Sequence, residues 1–160
     1  MPQQKTPTLA AIFSDVLARL AFMFTEDLPV DPIPGGGWIE ASVGYKGPVE
    51  GRLVLTCTRE FATVLASNLL GTDPEDPEAD VKAEDAVKEF MNITCGQYIT
   101  AVHGTEAVFC LSIPEVRTAE APPADDAGPQ QVLLSVDGHL VQLRHQAGPA
   151  PAAGAAREQP

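Results

Sequence analysis

The sequence is poor in bases and in cysteine, and it has no long apolar run. Ten Lys and Arg stand against 22 Asp and Glu, a formal net charge of −12. A nucleic-acid-binding chain needs a basic footprint to displace counterions from phosphates, so that class is disfavoured. Adsorption to an anionic membrane surface is disfavoured on the same ground. No apolar stretch is long enough to span a bilayer. The N-terminus lacks a charged-then-apolar pattern ending in small residues, and a cytoplasmic location is the expectation. The cysteines Cys57, Cys95 and Cys110 are odd in number and scattered. That argues against both a disulfide framework and paired metal ligands, and each reads as a small buried hydrophobe in a reducing compartment. The acidic surplus permits docking to a partner with a basic patch, and otherwise serves solubility.

What is present suits one domain. Of 160 residues, 44 % are hydrophobic, enough for a core of ordinary size. The expected organisation is a disordered lead-in over 1–7, a single domain over 8–146 and a disordered Ala/Pro/Gly-rich tail over 147–160. Thr8 caps a first helix over Leu9 to Phe24, with Leu9, Ile12, Phe13, Val16, Leu20 and Phe24 inward. Pro29, Pro32, Pro34 and Gly35 to Gly37 then break regular structure. Trp38 to Tyr45 and Val49 to Thr58 read as a strand hairpin about Lys46-Gly47-Pro48. Thr58 caps a helix over Arg59 to Leu70, which Gly71 ends in a left-handed conformation. Thr72 to Asp80 reads as an acidic solvated loop, Val81 to His103 as a long helix, and Glu106 to Pro114 as a strand. Thr118 to Pro129 reads as a loop, and Asp137-Gly138 marks a type I′ turn between strands Gln131 to Val136 and His139 to His145. The predicted class is α+β: an antiparallel sheet with helices packed on one face.

The long helix has two unlike faces. At about 100° per residue, Val87, Phe90, Met91, Thr94, Tyr98 and Val102 share one stripe, and Asp85, Glu89, Asn92, Gly96 and His103 lie opposite. A polar outer face is the ordinary condition of a surface helix. A row holding a carboxylate, an amide and a bare glycine can also do chemistry on something docked there. Gly96 has a packing reading, close approach of a neighbouring backbone, and a docking reading, of which packing is favoured. His103 reads as a cation at a helix C-terminus.

Asp85-x3-Glu89-x2-Asn92, followed after 21 residues by Pro114, resembles the signature of the CheC/CheX/FliY family of chemotaxis phosphatases, one residue short in the last spacing. Val49 to Leu55 is similar to the family's central strand, and Ala66 to Gly71 to the end of its next helix. The likeness covers about residues 8 to 145 and is nearest to single-site CheX-like members. It implies a degenerate internal duplication, 9–57 and 81–145. The first helix offers only Ser14-x3-Ala18-x2-Ala21 or Asp15-x3-Arg19-x2-Phe22, so one site per chain is implied, on the later helix. The implied activity is hydrolysis of the aspartyl-phosphate of a CheY-like response-regulator receiver domain in two-component signalling. By resemblance Asn92 orients the attacking water and Glu89 pairs with a receiver lysine, with Asp85 and Gly96 supporting docking. No cofactor or metal belongs to this chain, and the Mg²⁺ belongs to the receiver. A homodimer is implied as well. The competing reading is a non-catalytic module of the same fold that binds a receiver or another protein.

Overall fold

The computed structural model describes residues 7–26, 37–121 and 131–148. The expected lead-in over 1–6, the Pro/Gly stretch over 29–36, the loop over 122–129 and the tail beyond 148 lie outside the described residues.

Two units of helix followed by hairpin build the molecule. Helix α1 (Leu9–Val16) runs into a π-helical turn (Leu17–Ala21) and a two-residue strand β1 (Thr25–Glu26). Strands β2 (Trp38–Lys46) and β3 (Glu50–Thr58) form the first hairpin, and helix α2 (Arg59–Leu70) and short helix α3 (Pro77–Val81) follow. Helix α4 (Ala83–His103) leads to β4 (Cys110–Leu111), β5 (Glu115–Ala119) and the second hairpin, β6 (Gln131–Val136) and β7 (His139–Ala147). The sheet is antiparallel in order β1-β6-β7-β3-β2-β4, and β5 also pairs with β2. This is the expected α+β architecture.

Alternation places the core between sheet and helices. Ile39, Ala41, Val43 and Tyr45 of β2 and Leu53, Leu55 and Cys57 of β3 are buried, together with Phe61 and Leu65 of α2 and Phe90 and Met91 of α4. Gly51 makes room in this layer, because a Cβ there would lie 2.6 Å from the Tyr45 hydroxyl oxygen. Thr58 and Gly71 cap α2 as expected: the Thr58 hydroxyl accepts the Phe61 N–H at 3.0 Å and Gly71 sits at φ 74°. The second turn is also as expected, with Asp137 at φ 48° and Gly138 at φ 87°.

Five expectations are corrected. The first helix is not regular to Phe24. From Leu20 to Phe24 every residue is apolar, so helical phase could not decide which side chains turn inward. The π turn settles it by burying Leu17, Ala21 and Met23, while Leu20 and Phe24 face outward. The acidic loop contains α3, capped by Asp76 with Pro77 in its first turn and Ala79 buried. The strand over 106–114 shrinks to Cys110–Leu111, because a bulge intervenes. There Ser112 exchanges two hydrogen bonds with Gly44, its hydroxyl accepting the Gly44 N–H and its own N–H reaching the Gly44 carbonyl, both at 2.8 Å. Pro114 therefore leads into β5 and does not end a strand. Finally, β7 continues through Gln146 and Ala147, which pair with Arg52 and Gly51, and Cys110 is exposed.

Candidate functional site

Helix α4 spans 21 residues on the buried face of β2 and β3, between α1 and α2. Glu84 and Asp85 in its first turn complement the positive end of the helix dipole, and Glu84 also meets Arg59 of α2 at 3.3 Å. Gly104, at φ 80°, ends it. Val87, Phe90, Met91, Thr94, Cys95 and Ile99 are buried. Phe90 meets Phe13 of α1 edge to face, with ring centroids 5.6 Å apart. The buried Thr94 hydroxyl donates to the Phe90 carbonyl at 2.8 Å, so it needs no outside partner.

The opposite face carries the residues singled out from the sequence. Asp85 and Glu89 are exposed, and Asn92 and Gly96 are half-buried. Among the described residues, none of the Asp85, Glu89 and Asn92 side chains has a hydrogen-bond or ion-pair partner. Glu89 and Asn92, three residues apart, project from neighbouring turns of the same side. The packing explanation for Gly96 is overturned, because a Cβ there would meet nothing within 4 Å. The inward stripe is also shifted: Cys95 and Ile99 are buried, Tyr98 is half-buried and Val102 is exposed. Among the described residues no group of three His, Cys, Asp or Glu side chains is placed to hold a metal ion.

A second cluster was not foreseen. At the C-terminal end of α4 five rings converge from four segments: Tyr45, Tyr98, His103, Phe109 and His145. Tyr45 and His145 stack nearly parallel, and the Tyr45 hydroxyl lies 2.8 Å from His145 Nε2. Burial pushes Tyr45 up to about 12, helped by Tyr98 and Cys95, and burial alone pushes Cys95 to about 12. Burial, then His103, lowers His145. No spacing in the sequence could reveal this cluster, because Tyr45 and His145 come from strands far along the chain from Tyr98, His103 and Phe109. A cavity of about 480 Å³ opens at the β2–β3 turn, lined by Lys46, Glu50 and Arg52 and by Tyr45 of the ring cluster, and takes no residue from α4.

The fold and the α4 face can be set against known proteins. The family described as "Chemotaxis phosphatase CheX" matches residues 39–135, a stretch that includes the whole of α4. Among solved structures, CheX from Desulfovibrio desulfuricans is 19 % identical with a TM-score of 0.63, covering 87 % of this chain and 95 % of that one. A CheX–CheY–BeF3–Mg²⁺ complex from Borrelia burgdorferi gives 21 % and 0.62, covering 88 % and 96 %. FliY from Thermotoga maritima gives 16 % and 0.52, covering 86 % and 84 %. These identities speak for the fold alone. A curated relative, Maintenance of mitochondrial morphology protein 1 from Mycosarcoma maydis, is 26 % identical over 136 residues, 81 % of this chain. The chain spans only 22 % of that relative's length. The family match covers more than half of the sequence, and the chain belongs to the family of the chemotaxis phosphatase CheX.

Proposed function

We propose that this protein hydrolyses the aspartyl-phosphate of a CheY-like receiver domain, with Glu89 and Asn92 as its working residues. One observation carries the reading: a carboxylate and an amide stand together on the outer face of α4 with no partner among the described residues. Glu89 is exposed and Asn92 half-buried, so neither is tied to this chain and both are free to meet a docked partner. That a family relative is seen in a complex with CheY supports a receiver as the partner.

An acyl phosphate is already activated, so positioning carries most of the catalysis. The Asn92 amide can both donate to and accept from a water without titrating near neutral pH, so it can hold the oxygen in line with phosphorus. The water oxygen bonds to phosphorus as the bond from phosphorus to the aspartyl oxygen breaks. The electron pair leaves with the aspartyl carboxylate, and both water protons end on inorganic phosphate. Glu89 pairs with a lysine of the receiver and fixes the register of docking. Asp85 assists docking from one turn earlier, and Gly96 leaves space for the partner surface. Mg²⁺ comes with the receiver. The protein acts as a homodimer in this reading. Strand β1 covers β6 only at Val136 and Ser135, leaving Val132 to Leu134 without a strand neighbour on that side among the described residues. Such an edge can accept a second chain.

The test is decay of a phosphorylated receiver with each variant. Asn92→Ala should slow the accelerated decay about a hundredfold to a thousandfold and leave receiver affinity nearly intact. Glu89→Ala should weaken affinity as well, more so at low salt. Equal decay with wild type and Asn92→Ala would sink the phosphatase reading and leave a receiver-binding module.

A further inference from the structure

The segment after α1 carries an exposed apolar patch that the reading above does not use. Phe22 is 73 % exposed, Phe24 61 % and Leu20 36 %. The patch is built, not frayed. Phe22 sits at φ 54°, a left-handed conformation that costs a bulky residue free energy. The surroundings hold it there. The Met23 N–H reaches the Leu17 carbonyl at 3.3 Å while the Met23 side chain is fully buried. The Asn68 amide of α2 donates to the Ala21 carbonyl at 2.9 Å. The Phe24 backbone exchanges two hydrogen bonds with Asp137 of the second hairpin, at 3.2 and 3.3 Å. Thr25 and Glu26 then join β6.

The Asn68 bond brings the end of α2 alongside, where Leu70 is 46 % exposed. The carboxylates placed beside Phe24 are those of Asp137, which accepts the Phe24 N–H, and of Glu26 in the strand that follows. Beyond Leu70 the chain itself continues with Asp73, Glu75, Asp76, Glu78 and Asp80. The one base in the α1 part, Arg19, is held by Asp15 at 2.7 Å. Apolar side chains held out in a strained conformation and bordered by carboxylates match a ligand with apolar and cationic side chains together.

We propose that this patch docks a cationic amphipathic segment of a partner protein, with Phe22 and Phe24 as its anchors. The apolar side chains of that segment lie on the two rings and its lysines or arginines meet the acidic border. The surface is distinct from the Glu89 and Asn92 face and needs neither residue. Aromatic anchors of this kind dominate the affinity of small interfaces.

The experiment titrates a fluorescent leucine–lysine helical peptide, with a leucine–glutamate peptide of equal length as control, against wild type, Phe22→Gly and Phe24→Ser. Glycine tolerates the left-handed conformation, so Phe22→Gly should keep or raise the urea midpoint while preserving every charge. It should weaken the leucine–lysine peptide about tenfold or more, and Phe24→Ser should do the same. Equal affinity for wild type and Phe22→Gly would reduce binding to bulk charge attraction and overturn the proposal. Equal binding of the leucine–glutamate peptide would overturn it too. Sedimentation in which wild type self-associates and Phe22→Gly does not would make the occupant a second copy of this chain, again overturning it. If Phe22→Gly loses its unfolding transition, Phe22→Asn, which also tolerates this conformation, decides the question.

Discussion

Helices α1 and α4 each precede a hairpin of the same sheet, and they touch through Phe13 and Phe90. Their outer faces differ. Asp15 of α1 pairs with Arg19 of the π turn that follows it, at 2.7 Å. On α4, Glu89 and Asn92 have no partner among the described residues. The helices also end differently: α1 gives way to a π turn after eight residues, while α4 runs 21 residues without a break. The exposed Asp15–Arg19 pair is occupied with itself. A polar pair left unsatisfied keeps its hydrogen-bonding capacity for a partner, and regular helix holds its members in fixed register.

Changes to each helix sharpen this contrast. The largest effect should come from the ring that joins them. Phe90 is fully buried, so Phe90→Ala should cost about 3–5 kcal/mol in urea unfolding, transfer and cavity terms together. A loss below about 1 kcal/mol would mean the two helices do not share a core.

The ring cluster at the end of α4 has no counterpart on α1 among the described residues, and it should shape stability against pH. His145 is lowered below its ordinary value, so it contributes stability fully present above about pH 6.5 and lost as pH falls through the folded value. Tyr45 is raised to about 12, so its contribution is full below about pH 10 and lost as pH rises toward 12. Thermal unfolding across this range should show a plateau with both shoulders. His145→Gln should reduce the acid shoulder, and an unchanged shoulder would remove His145 as its source.

A smaller effect, of opposite sign, should follow Gly96→Ala. A methyl group there meets nothing within 4 Å, so the change should stabilise by about 0.5–1 kcal/mol through helix propensity alone. Destabilisation would restore a packing role for Gly96. The smallest effect should be Asp15→Ala on α1. Its pair is 59 % exposed on both sides, and its loss should change the unfolding free energy by no more than about 0.5 kcal/mol.

Much of this could be read from the chain. The limits of α2 followed from Thr58 and Gly71, and the second turn from Asp137-Gly138, because caps and turns are decided by a few adjacent residues. The two faces of α4 were legible because apolar and polar positions there recur at helical spacing. The stripe slipped at Cys95, Ile99 and Val102, where small and apolar residues stand on both sides and spacing cannot choose. The same ambiguity hid the π turn. Residues with strand propensity at 106–114 found few partners: Val108 is 81 % and Ile113 86 % exposed. Propensity describes the residue, whereas a strand needs a neighbour that only the tertiary fold supplies.

The central seam of the sheet has a consequence for how the chain folds. Strand β3 pairs with β7, so Gly51 waits for Ala147 and Leu53 for His145. During synthesis the first hairpin and α2 emerge long before that partner. Until β7 arrives, β3 presents an open edge whose inward side chains, Leu53, Leu55 and Cys57, are among the most deeply buried of the finished protein. Local helix and hairpin formation should be fast, and closure of this long-range seam slow. The interval is when a nascent chain is most exposed to mispairing with another, and it ends only when the last described strand is made.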